Sequence, residues 1–246
     1  MTESILQVKG LNKSFGGVVA TDNLDFEVKQ GEIHAVIGPN GAGKTTFVAQ
    51  LAGMLSPDSG EIFFVGEEIS SLSAPQRSHM GLARSFQITS VFPNFSALEN
   101  VALSIQAQVV NLLLELQKKF SLTFLFIAHD LSVIKYISDR VLVMYLGKIV
   151  EQAKTEELFK NPKHPYTEAL ISSVPIPNPQ KKVEQIILDG DVPSPLEPPP
   201  GCVFHTRCRY AQDICKTDIP PIKEMGSRHF TSCHFADTLK LNTGTL

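Results

Sequence analysis

No stretch of this chain approaches the roughly 18 consecutive apolar residues of a membrane-spanning helix, so its sequence is not that of an integral helical membrane protein. No charged-then-apolar signal segment opens it either, which makes the cytoplasm the expected compartment. Positive charge is not in excess: 22 Lys+Arg against 25 Asp+Glu leave a net charge of −3, with a pI near 6.2. A nucleic-acid partner held by bulk charge is therefore not expected. Cysteine is absent from the first 201 residues, and all four lie between Cys202 and Cys233. In a cytoplasmic chain that clustering favours a metal site over disulfides. The 246 residues, 43% of them hydrophobic, suit one sizeable domain plus an appendage.

What is present centres on GPNGAGKTT: Gly38, Pro39, Asn40, Gly41, Ala42, Gly43, Lys44, Thr45 and Thr46. It fits the phosphate-loop pattern G-x-x-x-x-G-K-[ST] at every constrained position. Ile33, Ala35 and Ile37 alternate before it as in a strand, and Phe47, Val48, Leu51 and Met54 follow with helical spacing. A glycine-rich turn that merely carries a lysine would not need that strand and helix. The glycines let successive N–H groups converge on one anion, and the helix N-terminus adds its positive dipole end. Lys44 can reach the β- and γ-phosphates, and the Thr45 hydroxyl can ligate Mg²⁺. The expected fold is α/β, a P-loop NTPase core, and the expected ligand is a nucleoside triphosphate.

Residues 1–30 read as two strands around a turn, with Leu24, Phe26 and Val28 alternating with polar neighbours. Phe15, beside Gly16 and Gly17, can either stack on an adenine or pack in the core. SPDSGEIFFVGEEI reads as a turn leading into a strand from Ile62 to Val65, and Gln87 closes a short apolar stretch. Residues 105–120 predict an amphipathic helix with Ile105, Val109, Leu112, Leu113, Leu116 and Phe120 on one face. LTFLFIA, Leu122 to Ala128, suits a strand buried on both faces. His129 follows it at the edge where open α/β sheets bind ligands, unless it is a structural histidine. Val141 to Tyr145 reads as a further strand. From Pro162 the composition turns Pro-rich and loop-like. The four cysteines are spaced C-x₅-C-x₆-C-x₁₇-C. Four thiolates can complete a [4Fe–4S] cluster; zinc usually shows tighter pairs, and empty thiols are the third alternative.

Phe15, the P-loop, SGEI and Gln87 together resemble the first half of the ATP-binding cassette of an ABC transporter. SFGGVVA, IGPNGAGKTT, RSFQIT and FPNFSALENV, within residues 1–103, are most similar to the branched-chain amino-acid importer branch. FIAHDLSVI, HPYTEAL, PPPGC and the four cysteines, within residues 104–246, look like dipeptide and oligopeptide importer ATPases. The resemblance implies ATP and Mg²⁺ as cofactors, Phe15 stacking on adenine, Gln87 sensing Mg²⁺, and His129 contacting the γ-phosphate. It also implies a [4Fe–4S] cluster on Cys202, Cys208, Cys215 and Cys233. The implied partners are membrane subunits and a second ATP-binding subunit, which would place the chain at the inner face of the cell membrane.

Two parts that the family requires are missing: a signature loop of the LSGGQ type, and an apolar strand ending in Asp-Glu. The 42 residues from Gln87 to His129 are too few for both, and Ile186–Asp189 is a poor substitute for the strand. The expectation is a fusion of two cassettes with its seam within 98–108, giving a truncated cassette over 1–160 and an extension over 161–246. In the family's sheet the P-loop strand lies between Val141–Tyr145 and the histidine strand. Leu122–Ala128 would then be an uncovered apolar edge prone to aggregation. The function expected is that of the ATPase subunit of an ABC importer for peptides or amino acids. The alternative is a non-hydrolysing ATP-binding fragment or a non-functional fusion product.

Overall fold

The computed structural model describes residues 4–84, 110–128, 130–174 and 185–241. Strands β1 (Ser4–Phe15) and β2 (Val18–Lys29) form an antiparallel hairpin with Phe15 opposite Val18. Leu24, Phe26 and Val28 are buried while Asp25 and Glu27 are exposed, as period-two alternation requires. β4 (Ser59–Phe64) pairs with β1, and β5 (Glu67–Glu68) completes a four-stranded sheet in the order β2-β1-β4-β5. Val65, expected in the strand, lies just past its end: its N–H still donates to the Ile5 carbonyl at 2.8 Å, but its φ is 52° and its side chain is exposed. It lies in the turn that Gly66 continues.

The second sheet has six strands in the order β6-β3-β7-β8-β10-β9. These are β3 (Ile33–Ile37), β6 (Phe124–Ile127), β7 (Arg140–Tyr145), β8 (Lys148–Lys154), β9 (Lys223–Glu224) and β10 (Phe230–Thr231). β3 runs parallel to both β6 and β7, between them, as expected. Side-chain alternation on β7 divides the interior in two. Leu142 and Met144 join Leu6, Val8, Phe26, Phe47 and Ile62 between the sheets. Val141, Val143 and Tyr145 face a second core with Leu158, Phe159, Tyr166 and Phe204.

Among the described residues β6 pairs only with β3, so it is the sheet edge. Its four residues are half-buried rather than enclosed on both faces. A helix, α3, covers 110–120. Its contact stripe is rotated from the expected one: Leu113 and Leu116 are half-buried, but Leu112 and Phe120 are exposed. The Gln117 amide of this helix donates to the Gly31 carbonyl at 2.6 Å. Ile105, Val109 and the seam 98–108 lie outside the described residues.

The remaining helices are α1 (Lys44–Leu51), α2 (Ala74–His79), α4 (Leu131–Ile137), α5 (Thr155–Lys160), α6 (Pro165–Ser172) and α7 (Asp213–Thr217). The buried Arg77 of α2 donates to the Gln50 and Leu51 carbonyls at 2.7 and 2.8 Å, satisfying the last turn of α1. HPYTEAL is helix, not loop. Pro165 sits at the first position, where a missing N–H removes no bond, and the His164 ring nitrogen caps the helix by accepting from Tyr166 N at 3.1 Å. Ile186–Asp189 forms no strand, and Ile187 is exposed.

Candidate nucleotide site and cysteine pocket

The loop from Gly38 to Gly43 joins the end of β3 to the start of α1. Gly43 caps α1 with φ 92°, and a Cβ there would lie 1.9 Å from the Ala20 carbonyl oxygen. Only glycine lets β2 approach this closely. Gly41 also has a left-handed φ of 80°, but a Cβ there would meet nothing within 4 Å. It lies on the open side of the loop, where a ligand would sit.

Lys44 is nearly buried, and its ammonium donates to the Gly38 and Pro39 carbonyls at 2.8 Å each. Burial holds its pKa below the ordinary lysine value. The side chain thus curls back over the loop and holds a cation at its mouth. No acidic residue stands in the first turn of α1, and no side chain caps it. Its first N–H groups are left for an anion. Asn40 and Thr45 are exposed, Pro39 and Thr46 are intermediate, and Ala42 is buried. These features fit a phosphate chain with its metal at Thr45.

Phe15 ends β1 half-exposed, with the Lys13 ammonium 5.6 Å from its ring centre. The exposed ring is available for stacking rather than packed in the core. Gln87 and His129 lie outside the described residues. The strand that leads to His129, β6, is in register with β3 through Val36 and Ile127, so both strands end at the same sheet edge.

The four cysteines converge. All four are free thiols lining one pocket with Phe204, His205, Tyr210, His234 and Phe235. The chain reaches this arrangement through short turns, among them Cys202 N–H to Cys215 O at 2.9 Å and His205 N–H to Cys202 O at 2.9 Å. Burial and mutual repulsion push the Cys208 thiol up to about 12 and Cys233 to about 11, and raise Cys202 as well. Backbone N–H groups of Phe204, Tyr210 and Phe235 bond to these sulfurs and oppose that rise. Among the described residues no three His, Cys, Asp or Glu side chains are close enough to share one metal ion.

Sequence reasoning missed the clamp behind Cys208. Glu168 of α6 is buried and pairs with Arg209 at 3.0 Å and the Tyr210 hydroxyl at 3.2 Å. The sequence offered one signal, an acid in a helix with no other charged residue. The Glu151 carboxylate was missed as well. It accepts from Lys163 N, His164 N and the His229 ring at 2.6, 3.0 and 2.7 Å, tying β8 to the start of α6 and to β10.

Comparison with known proteins agrees with this geometry. The ABC transporter family matches residues 21–160, and the oligopeptide/dipeptide transporter C-terminal region matches 150–215. A putative peptide import ATP-binding protein of Brucella ovis is 35% identical over 315 aligned positions, covering 95% of this chain and 98% of that protein. The oligopeptide transport ATP-binding protein AppF of Bacillus subtilis is 35% identical over 323 positions, covering 94% and 97%. Both alignments are longer than the 246-residue chain, so these relatives carry a stretch with no counterpart here. A crystal structure of a nucleotide-free ATP-binding cassette from an ABC transporter superposes with a TM-score of 0.59 at 21% identity, covering 68% of this chain and 98% of that one. The chain belongs to the ABC transporter family, as an ATP-binding cassette of the P-loop NTPase fold followed by the C-terminal region of the oligopeptide/dipeptide transporters.

Proposed function

We propose that this chain is the ATP-binding subunit of an ABC importer for peptides. The observation that carries the reading is the Gly38–Thr46 loop, with Lys44 folded over it at the head of an unopposed helix, in a chain 35% identical to peptide import ATP-binding proteins. Lys44 and the loop amides hold the phosphates, Phe15 stacks on the base, Thr45 and Gln87 hold Mg²⁺, and His129 contacts the γ-phosphate. Bound Mg²⁺ supplies charge neutralisation between the phosphates. The partners are membrane subunits and a second ATP-binding subunit, which put the chain on the cytoplasmic face of the membrane. Among the described residues no helix is long and apolar enough to cross it. Residues 1–103 point to amino acids and 104–246 to peptides. Peptides are favoured because the oligopeptide/dipeptide region matches directly.

Binding without efficient hydrolysis is part of this proposal. The sequence holds neither a signature loop nor an Asp-Glu strand, and general-base assistance typically contributes about 10²–10⁴-fold. A fusion with its seam within 98–108 accounts for the loss, and the relatives' unmatched stretch supports it. It leaves a truncated cassette over 1–160 and the extension over 161–246, whose β9 and β10 continue the cassette's sheet beyond β8. A phosphate-release assay on the purified chain and Lys44→Ala tests this. We expect Mg·ATP binding that Lys44→Ala removes, with no turnover above background. Lys44-dependent turnover would refute the loss of hydrolysis, and absence of binding would leave only a non-functional fusion product. A sequencing read across the seam showing two complete neighbouring cassettes would rule out the fusion.

The extension's pocket is proposed to hold a [4Fe–4S] cluster on Cys202, Cys208, Cys215 and Cys233. Four thiols converge on one pocket with backbone N–H groups aimed at their sulfurs. Anaerobic reconstitution should give a visible absorbance band, and Cys202→Ser should lose bound iron. Iron content unchanged in Cys202→Ser would refute the assignment.

A further inference from the structure

The C-terminal extension comes back to the nucleotide side of the cassette at Leu196. Residues Ser194 to Glu197 form a tight turn: the Glu197 N–H donates to the Ser194 carbonyl at 3.2 Å, and the Leu196 N–H donates to the Ser194 hydroxyl at 3.2 Å. Pro195 stands at the second position of that turn, where its fixed φ is already the one required. Pro193 and Pro198 stiffen the two flanks. Leu196 is thereby presented from a preset backbone, and its side chain is 59% exposed.

The contact that Leu196 makes is with the tip of the β1–β2 hairpin, where Gly16 and Gly17 directly follow Phe15. Gly16 has a left-handed φ of 58°, so its backbone calls for glycine. Gly17 has no positive φ, and its lack of a side chain needs another reason. A Cβ at Gly17 would lie 3.7 Å from Leu196 Cδ2, ordinary van der Waals contact, so any longer side chain there would displace the leucine. Gly17 thus leaves room for an exposed leucine two residues from the half-exposed Phe15 ring. Three residues further along β2, Ala20 carries the carbonyl that closes on Gly43. At about 3.3 Å per residue, the hairpin tip is on the order of 10 Å from the base of the phosphate loop, a span that a ribose and its first phosphates bridge.

Resting on the reading of Phe15 as the residue on which the base stacks, we propose that Leu196 of the extension is a second, apolar wall of the nucleotide site and packs against the base. The cassette holds the phosphates and one side of the base, and the extension covers more of it. The Leu196 and Glu197 N–H groups are both spent on Ser194, so what the turn offers the base is the leucine's methyl groups. A preset turn loses little freedom when the base arrives, so most of that apolar contact appears as affinity.

The test is calorimetric titration of the full chain with Mg·ATP and with Mg·tripolyphosphate, which carries phosphates without a base. Leu196→Ser should weaken Mg·ATP binding by about three- to tenfold, the worth of part of a leucine side chain, and leave Mg·tripolyphosphate within about twofold. Leu196→Met, which keeps the apolar contact, should stay within about twofold of wild type for both ligands. Phe15→Ala tests the underlying reading by itself and should show the same split between the two ligands. If Phe15→Ala weakens Mg·ATP binding and Leu196→Ser does not, the second wall is overturned while the Phe15 reading stands. If neither variant changes Mg·ATP affinity, or wild type binds no Mg·ATP, the base is not at this tip and the underlying reading falls too. Equal weakening of both ligands by Leu196→Ser also overturns the wall, because the phosphate loop rather than the base contact has then been disturbed.

Discussion

His164 makes the stability of this chain depend on pH in a way that can be measured. The ring is buried at 1% exposure, caps α6 through a neutral nitrogen that accepts from Tyr166 N, and packs 5.7 Å from Phe204. Burial lowers its pKa to about 3. In the unfolded chain the same group titrates near 6.5. A histidine depressed on folding stays neutral in the native state while the unfolded state takes up a proton, so stability falls as pH drops below 6.5 and continues to fall until about 3. Between pH 7 and pH 5 that amounts to about 2 kcal/mol. For a chain of this size it lowers the melting temperature by roughly 4–8 °C. The measurement is thermal unfolding by circular dichroism at both pH values, for wild type and His164→Asn. The asparagine can still cap the helix but cannot be protonated. His34, also buried with a lowered pKa, contributes equally to both proteins and cancels in the difference. The variant should lose that part of the pH dependence whatever its absolute stability. Equal drops in the two proteins would show that His164 is not held neutral in the fold.

Three further outcomes follow from particular contacts. Glu151→Gln leaves a carboxamide facing two backbone N–H groups and the His229 ring. It should lower stability by about 2–4 kcal/mol in denaturant titration, and a change under 0.5 kcal/mol would show that the carboxylate is not needed. Gly43→Ala forces a Cβ against the Ala20 carbonyl at φ 92°. Mg·ATP affinity should fall at least tenfold, about 1.4 kcal/mol, and unchanged calorimetry would mean that the loop relaxes freely. On the edge strand, Leu125 and Ile127 pack against the core between the sheets, while alternation puts the half-buried Phe124 and Phe126 on the opposite face. Lysines at 124 and 126 should reduce light scattering in concentrated solution, and scattering equal to wild type would argue against an exposed edge.

Much of the site was legible because its chemistry is local. A phosphate loop is a run of nine residues whose glycines and lysine act through their own backbone and side chains, so spacing alone exposed it. The same holds for the β1–β2 hairpin, where Leu24, Phe26 and Val28 alternate. The buried strands β3 and β7 could also be placed, although their inward faces could not be told apart. The loop reading of HPYTEAL erred because proline was counted as a breaker without regard to position, and at the first residue of a helix it breaks nothing. The α3 face erred because an amphipathic pattern defines a broad stripe, of which tertiary packing covers Leu113 and Leu116 and leaves Leu112 and Phe120 exposed.

The linear order of residues determined, without help, that a phosphate-loop pattern joins a strand to a helix and that the four cysteines form one group. It could not determine that β10 would carry the extension back to the cassette's sheet, or that a glutamate in the middle of β8 would anchor it. Nor could it place Tyr145 between the nucleotide loop and the cysteine pocket. Those outcomes depend on residues 59 to 80 positions apart meeting in a close-packed interior. Packing of that kind is settled by the shape of the whole fold, and no local pattern of residues encodes it.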